Sequence, residues 1–150
     1  LAAKNPIVIC IMNGGLMFTG ELMRRISFPL EFDYVHASRY GNDIKPGENL
    51  RWKKYPSRNL DDRCVLLLDD VLDGGVTFAK IRDYCFENGA SEVYTAVMVD
   101  KNASRDSSGV KQADFTGVCV GDEYIFGFGL DYYGYLRNKD GIFALDSGDY

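Results

Sequence analysis

Residues 65–77 read Val-Leu-Leu-Leu-Asp-Asp-Val-Leu-Asp-Gly-Gly-Val-Thr, and no other stretch of the chain restricts the fold as tightly. The apolar run from Val65 to Leu68 predicts a strand buried on both faces, the habit of parallel sheets. Asp69 and Asp70 follow at its carboxyl end. Asp73, Gly74, Gly75 and Val76 then lead into Thr77, where an amphipathic helix is expected to run to about Asn88. Phe78, Ile81 and Cys85 mark its buried stripe, and Gly89 stops it. Strand, glycine turn and helix in this order form the unit of an open α/β sheet, whose ligands bind outside the carboxyl ends of the strands. A glycine turn opening a helix offers free N–H groups to a phosphate. Three acids beside such a cradle suit a ligand that also carries hydroxyls and a metal ion, as a phosphorylated sugar does.

The same alternation recurs. Pro6 to Met12 is an unbroken apolar run and predicts a first strand, closed by Asn13-Gly14-Gly15. A helix follows with Leu16, Gly20 and Met23 on one side, ended by Pro29; Glu31 to Ala37 predicts the second strand. Residues 39–60 change character, with Gly41, Pro46, Gly47 and Pro56 among charged residues and aromatics at Trp52 and Tyr55. A long excursion of this kind is the place for a mobile hairpin or lid. Further strands are expected at Glu92–Val99, Phe115–Val120, Tyr124–Phe128 and Ile142–Leu145, with a polar loop at 102–113. The fold class is α/β: a mostly parallel central sheet flanked by helices, with a small hood after Lys101.

A length of 150 residues is one domain with one core. The net charge of -5 argues against a nucleic-acid binder that works by counterion release. No apolar run approaches the ~20 residues of a membrane span. The four cysteines, Cys10, Cys64, Cys85 and Cys119, form no CxxC pair and read as buried reduced thiols, which points to a cytoplasmic protein. His36, the one histidine, lies within a strand and reads as structural.

The run at 65–77 matches the signature of the phosphoribosyltransferases. The chain as a whole resembles their hypoxanthine-guanine (6-oxopurine) branch, of the bacterial type. The resemblance is carried by Met12-Asn-Gly-Gly15 with Glu21-Leu-Met-Arg24, Ser38-Arg-Tyr-Gly41, the signature, Val99-Asp-Lys101, Ala113-Asp-Phe-Thr-Gly117, and Asp122 through Asp131 to Arg137. These pieces span roughly residues 6–145 in the family's order.

The resemblance implies a Mg²⁺-dependent transferase that joins the 5-phosphoribosyl group of phosphoribosyl diphosphate to N9 of hypoxanthine or guanine. It implies that Asp69 and Asp70 meet the ribose hydroxyls, directly or through hydrated Mg²⁺. Asp73 lies near N7 of the purine as the catalytic acid–base group and also belongs to the 5′-phosphate loop with Gly74, Gly75, Val76 and Thr77. Asn13 and Gly14 bind diphosphate through their backbone, in the family by way of a cis peptide, and Arg137 reaches the same group. Lys101 donates to O6, Tyr124 stacks on the base, and the backbone of Ile125 meets the base edge. Asp131 ligates a second Mg²⁺ and offers its carbonyl to the guanine 2-amino group. Ser38, Tyr40 and Gly41 belong to a catalytic lid. By the same resemblance the protein associates as a homodimer or homotetramer.

The chain departs from the family at several of these positions. Most members have Glu-Asp where Asp69-Asp70 stands, Thr or Glu at Gly74, Lys or another polar residue at Val76, and Lys at Asn13. In the lid, Arg39 separates Ser38 from Tyr40. Family members often carry a segment before the first strand that completes the hood. With five residues ahead of Pro6, a thinner hood or a shortened N-terminus is expected.

Each feature also has a plainer reading. The acids could be a solvated strand end, Asn13-Gly14-Gly15 a turn, Lys101 a surface lysine and the aromatics at 124–135 core. At the level of function, the alternative is a regulatory protein that keeps the sugar-diphosphate site without turnover. Asp73, Lys101 and the aromatic hood favour the enzyme.

Overall fold

The computed structural model describes residues 1–38, 50–102 and 105–145. Its centre is a six-stranded sheet in the order β3-β2-β1-β4-β5-β6. Strands β1 (Ile7–Met12), β2 (Glu31–Ser38), β4 (Cys64–Leu72), β5 (Glu92–Lys101) and β6 (Phe115–Val120) are mutually parallel, and β3 (Arg51–Lys54) closes one edge antiparallel to β2. A two-stranded antiparallel ribbon, β7 (Ile125–Phe126) and β8 (Phe143–Ala144), forms the separate hood.

Side-chain alternation along the central strands divides the core between two helices. Ile7, Ile9, Ile11, Val65, Leu67 and Val97 point to the face covered by α2 (Val76–Glu87), where Phe78, Ile81 and Cys85 meet them. Val8, Leu66, Leu68 and Ala96 point to the opposite face, where Phe18, Leu22 and Met23 of α1 (Leu16–Met23) pack. A strand that must satisfy both faces has no polar position to spare, which is why these runs are unbroken.

The helices fix where a ligand can enter. The chain leaves β1 through α1 to reach β2 on one side, and leaves β4 through α2 to reach β5 on the other. The strand order therefore reverses between neighbouring β1 and β4. That switch point opens a crevice at the carboxyl ends of the two strands.

Several expectations change in detail. β4 continues past Leu68 through Asp69 and Asp70 to Leu72, because its ladder with β5 holds as far as Leu72 opposite Asp100. The acids are thus part of the strand rather than its sequel. On α1, Leu16 is 51% exposed and Gly20 lies in the open, so the buried stripe is Phe18, Thr19, Leu22 and Met23. Leu16 opens the helix beyond the end of β1, where no sheet lies beneath it. The expected strand at 124–128 shortens to Ile125–Phe126, and the one at 142–145 to Phe143–Ala144. All four cysteines are free; Cys10, Cys64 and Cys85 are buried, but Cys119 is exposed because β6 is an uncovered edge. Among the described residues no helix is long and apolar enough to cross a membrane.

His36 sits on β2 with its Nε2 3.5 Å from Lys53 Nζ, part of the β2–β3 seam. Partial burial and the Lys53 charge lower its pKa, in keeping with a structural, neutral ring.

Candidate active site

The switch-point crevice is a cleft of about 380 Å³. Its walls include Gly14 from the turn after β1, Asp69 and Asp70 from β4, and Asp73 and Thr77 from the turn into α2. Lys101 closes the β5 end, and Tyr124, Ile125, Asp131 and Arg137 come from the hood. Ten residues singled out from sequence, distant along the chain, therefore face one space. Gly74 and Gly75 line an adjoining cup of about 260 Å³ that shares Asp69, Asp70, Asp73 and Thr77 with the cleft.

The glycines of the two turns are required by contact. A β-carbon on Gly14 would lie 1.9 Å from Asp70 Oδ2, so the turn after β1 can rest on the Asp70 carboxylate only if it has no side chain. Gly75 caps α2 at a φ of 78°, and a β-carbon there would lie 2.3 Å from the Val110 carbonyl. Glycine enters this left-handed region at little cost. The peptide bond between Met12 and Asn13 is cis.

The acidic pair has a distinct electrostatic character. Asp70 is buried, while Asp69 keeps some surface toward the cleft. The Asp70 N–H donates to Asp69 Oδ1 at 2.9 Å and the Val71 N–H to Asp70 Oδ1 at 2.8 Å. Enclosure drives the Asp69 carboxyl well above the usual carboxylate range, and the Asp70 charge beside it adds to the rise. Enclosure also raises Asp70, against the pull of its hydrogen bonds and of Arg137. Two carboxyls so placed resist carrying two negative charges at once, a cost that a bound cation would relieve.

Across the cleft, Arg137 Nη2 pairs with Asp131 Oδ1 at 2.7 Å, and its Nη1 donates to the Gly129 carbonyl at 2.6 Å. The Gly134 N–H occupies Asp131 Oδ2 at 2.8 Å. The Tyr124 hydroxyl donates to the Asp131 carbonyl at 3.1 Å, which ties the aromatic ring to the same turn. Lys101 is 13% exposed, with its ammonium 3.4 Å from Asp122.

Three expected residues are not brought to either wall. Asn13 is exposed and outside the lining, Val76 starts α2 without facing the cup, and Ser38 ends β2 while its neighbour Ala37 lines the cleft. Tyr40 and Gly41 lie outside the described residues. Ile11, Met12, Ala37, Val71 and Leu130 also line the cleft and were not anticipated. They are the apolar ends of core strands and of a hood turn, which no motif distinguishes from core.

Among the described residues no three acidic, His or Cys side chains converge into a metal cage. The donors available are carboxylate oxygens in pairs, Asp69 with Asp70 and the already engaged Asp131. This suits Mg²⁺, which keeps much of its water and binds through one or two carboxylates together with substrate phosphates.

Residues 1–132 match the family described as "Phosphoribosyl transferase domain". The chain belongs to the phosphoribosyltransferase family. Within that family, a hypoxanthine-guanine phosphoribosyltransferase of Streptococcus thermophilus is 33% identical over 91% of this chain and 75% of its own length. A hypoxanthine-guanine-xanthine phosphoribosyltransferase of Tritrichomonas foetus is 29% identical over 98% of this chain and 79% of its own. Among solved structures, a hypoxanthine phosphoribosyltransferase from Staphylococcus aureus superposes with a TM-score of 0.88 at 26% identity, covering 98% of this chain and 79% of that one. The fold is thus the type I phosphoribosyltransferase fold, a mostly parallel sheet with helices and a small antiparallel hood.

Proposed function

We propose that this chain transfers the 5-phosphoribosyl group of phosphoribosyl diphosphate to N9 of hypoxanthine or guanine, giving IMP or GMP and diphosphate, with Mg²⁺ as the metal. The observation that supports this reading best is the cleft itself, where an acidic pair, a largely buried lysine, an aromatic ring and an arginine face one another. Its relatives are described as enzymes of this kind.

In this reading the 5′-phosphate lodges in the cup of Asp73 to Thr77. Free N–H groups at the start of α2 and the Thr77 hydroxyl hold it without the polar side chains common at positions 74 and 76. Asp69 and Asp70 hold the ribose diol, and their negative charge faces the ring as positive charge develops at C1. Bound Mg²⁺ supplies neutralisation of the departing diphosphate. Asn13 and Gly14 offer backbone groups to that diphosphate, and Arg137 offers its guanidinium.

The base stacks on Tyr124 with its edge along the Ile125 backbone. Lys101 donates to O6; an ammonium has only donors, so it rejects the amino group of adenine. Asp73 accepts or relays the N7 proton as N9 attacks. The Asp131 carbonyl serves the 2-amino group of guanine, and its carboxylate, once released by Arg137, would be a further contact for the metal. The lid of Ser38, Tyr40 and Gly41 excludes water from the activated sugar.

The test incubates the protein with phosphoribosyl diphosphate, Mg²⁺ and, separately, hypoxanthine, guanine, xanthine or adenine, and follows nucleotide by chromatography. Nucleotide from an oxopurine and none from adenine is the expected result. Tight sugar-diphosphate binding with no nucleotide from any base would instead identify a binding protein. Lys101→Ala is expected to raise the oxopurine KM about ten- to a hundredfold, the worth of a charged hydrogen bond. Binding of phosphoribosyl diphosphate should change little; an unaltered oxopurine KM removes Lys101 from the base site.

A further inference from the structure

Arg105 lies in the polar stretch between β5 and β6, to which sequence reading assigns no chemistry. Its guanidinium gathers groups from three parts of the site. Nη1 donates to the carbonyls of Leu72 at 3.0 Å, Asp73 at 2.6 Å and Lys101 at 2.9 Å. Nη2 pairs with the Asp100 carboxylate, and Nε donates to the Lys111 carbonyl at 3.3 Å. The side chain is only 13% exposed.

The position of these carbonyls explains the need for such a group. The ladder between β4 and β5 ends at Leu72 opposite Asp100. Beyond that pair the two chains diverge, one into the phosphate cup and the other into the lysine expected to read the base. Backbone carbonyls at such a fork have no ladder partner, and a buried carbonyl left unpaired is costly. A planar guanidinium has five donors in a fixed fork, against three on an ammonium, and bridges several such groups in a set geometry. The segment that follows is fastened to the cup as well: the Asp106 N–H donates to the Gly74 carbonyl and the Val110 N–H to the Gly75 carbonyl, each at 3.0 Å.

We propose that Arg105 is a positioning residue that locks Lys101 and the phosphate cup into one rigid unit, so that base and sugar meet in the geometry needed for bond formation. This rests on the functional reading given above. The chemistry is local and demanding: a displacement of about 1 Å between reacting partners costs on the order of a hundredfold in rate.

A double-mutant cycle tests the idea with Arg105→Gln, Lys101→Ala and the pair together, using whichever oxopurine the unaltered protein turns over best. Arg105→Gln is expected to raise the base KM about tenfold while the unfolding transition stays cooperative. In the Lys101→Ala background the same substitution should change base KM less than about twofold, because Arg105 acts through Lys101. Arg105→Lys should lie between the unaltered protein and Arg105→Gln, and it carries the cycle if the Gln variant fails to fold. Equal penalties in both backgrounds, or none in either, would overturn the proposal while leaving the function intact. Absence of turnover in the unaltered protein would remove the functional reading, and this inference with it.

Discussion

Asp69 and Asp70 show a site arranged against its own stability. Burial and mutual repulsion lift the Asp69 carboxyl well above its ordinary range. A carboxyl whose folded pKa is raised imposes no penalty below the unfolded value of about 3.9. From there the penalty grows as pH climbs toward the raised folded value and is complete above it, so the ligand-free fold weakens as pH rises. Asp69→Asn removes the repulsion yet keeps an oxygen that can accept the Asp70 N–H. At neutral pH the variant is expected to be about 1 kcal/mol more stable without ligand, the usual scale for relief of functional strain, and to lose most of its turnover. Its advantage should vanish below about pH 4, where Asp69 in the unaltered protein is already neutral. Denaturant melts of both proteins across that range decide the matter; a variant less stable at neutral pH would show that the pair is a structural asset.

Where β2 begins, Asp33 does the opposite work. Burial favours its neutral form, but N–H donors from Arg58, Tyr34 and Ser57, with Lys54, outweigh that and hold the carboxyl below its ordinary range. The effect is to fasten the segment after β3 onto β2, at the root of the excursion expected to carry the lid. Asp33→Asn should cost about 2 kcal/mol near pH 7, since buried donors lose their charged acceptor. That is roughly 4–8 °C in melting midpoint for a chain of this size. With a lowered folded pKa, the stabilisation exists above the unfolded value of about 3.9 and is lost as pH falls through the folded one, so the two melting curves should converge in acid. A constant gap down to pH 2 would show that packing, not charge, is responsible. Knots such as Asp33 and Arg105 explain what sequence could not show. The alternating strands and α2 were legible because burial on both faces leaves a periodic apolar record. Arg105 was not, because its partners are mostly main-chain carbonyls, which every residue has. The run past Leu68 was missed for a related reason: ladder hydrogen bonds carried β4 through two acids that propensity alone would end it at.

Taken as a whole, the molecule has two strands meeting at a switch point, two turns of glycine, and a hood that brings Tyr124, Asp131 and Arg137 over them. The candidate site was readable because each contributor sits at a strand end or turn with a motif of its own. The apolar floor from Ala37 and Leu130 carried no such mark. This architecture makes a definite statement about order of occupancy. No three metal-ligating side chains converge among the described residues, and burial disfavours full charge on the acidic pair. Mg²⁺ sheds water reluctantly, so the protein alone presents it with a poor site. In the proposed function the sugar diphosphate brings the missing oxygens. Mg²⁺ by itself should therefore leave the melting midpoint within about 1 °C, whereas Mg²⁺ with phosphoribosyl diphosphate at about a hundred times its Kd should add about 2.7 kcal/mol. For 150 residues that is a rise of roughly 5–10 °C. Differential scanning fluorimetry with each component alone and both together reads this directly. A rise of that size from Mg²⁺ alone would mean that the chain carries a metal cage of its own and that the metal site is not shared with the sugar diphosphate.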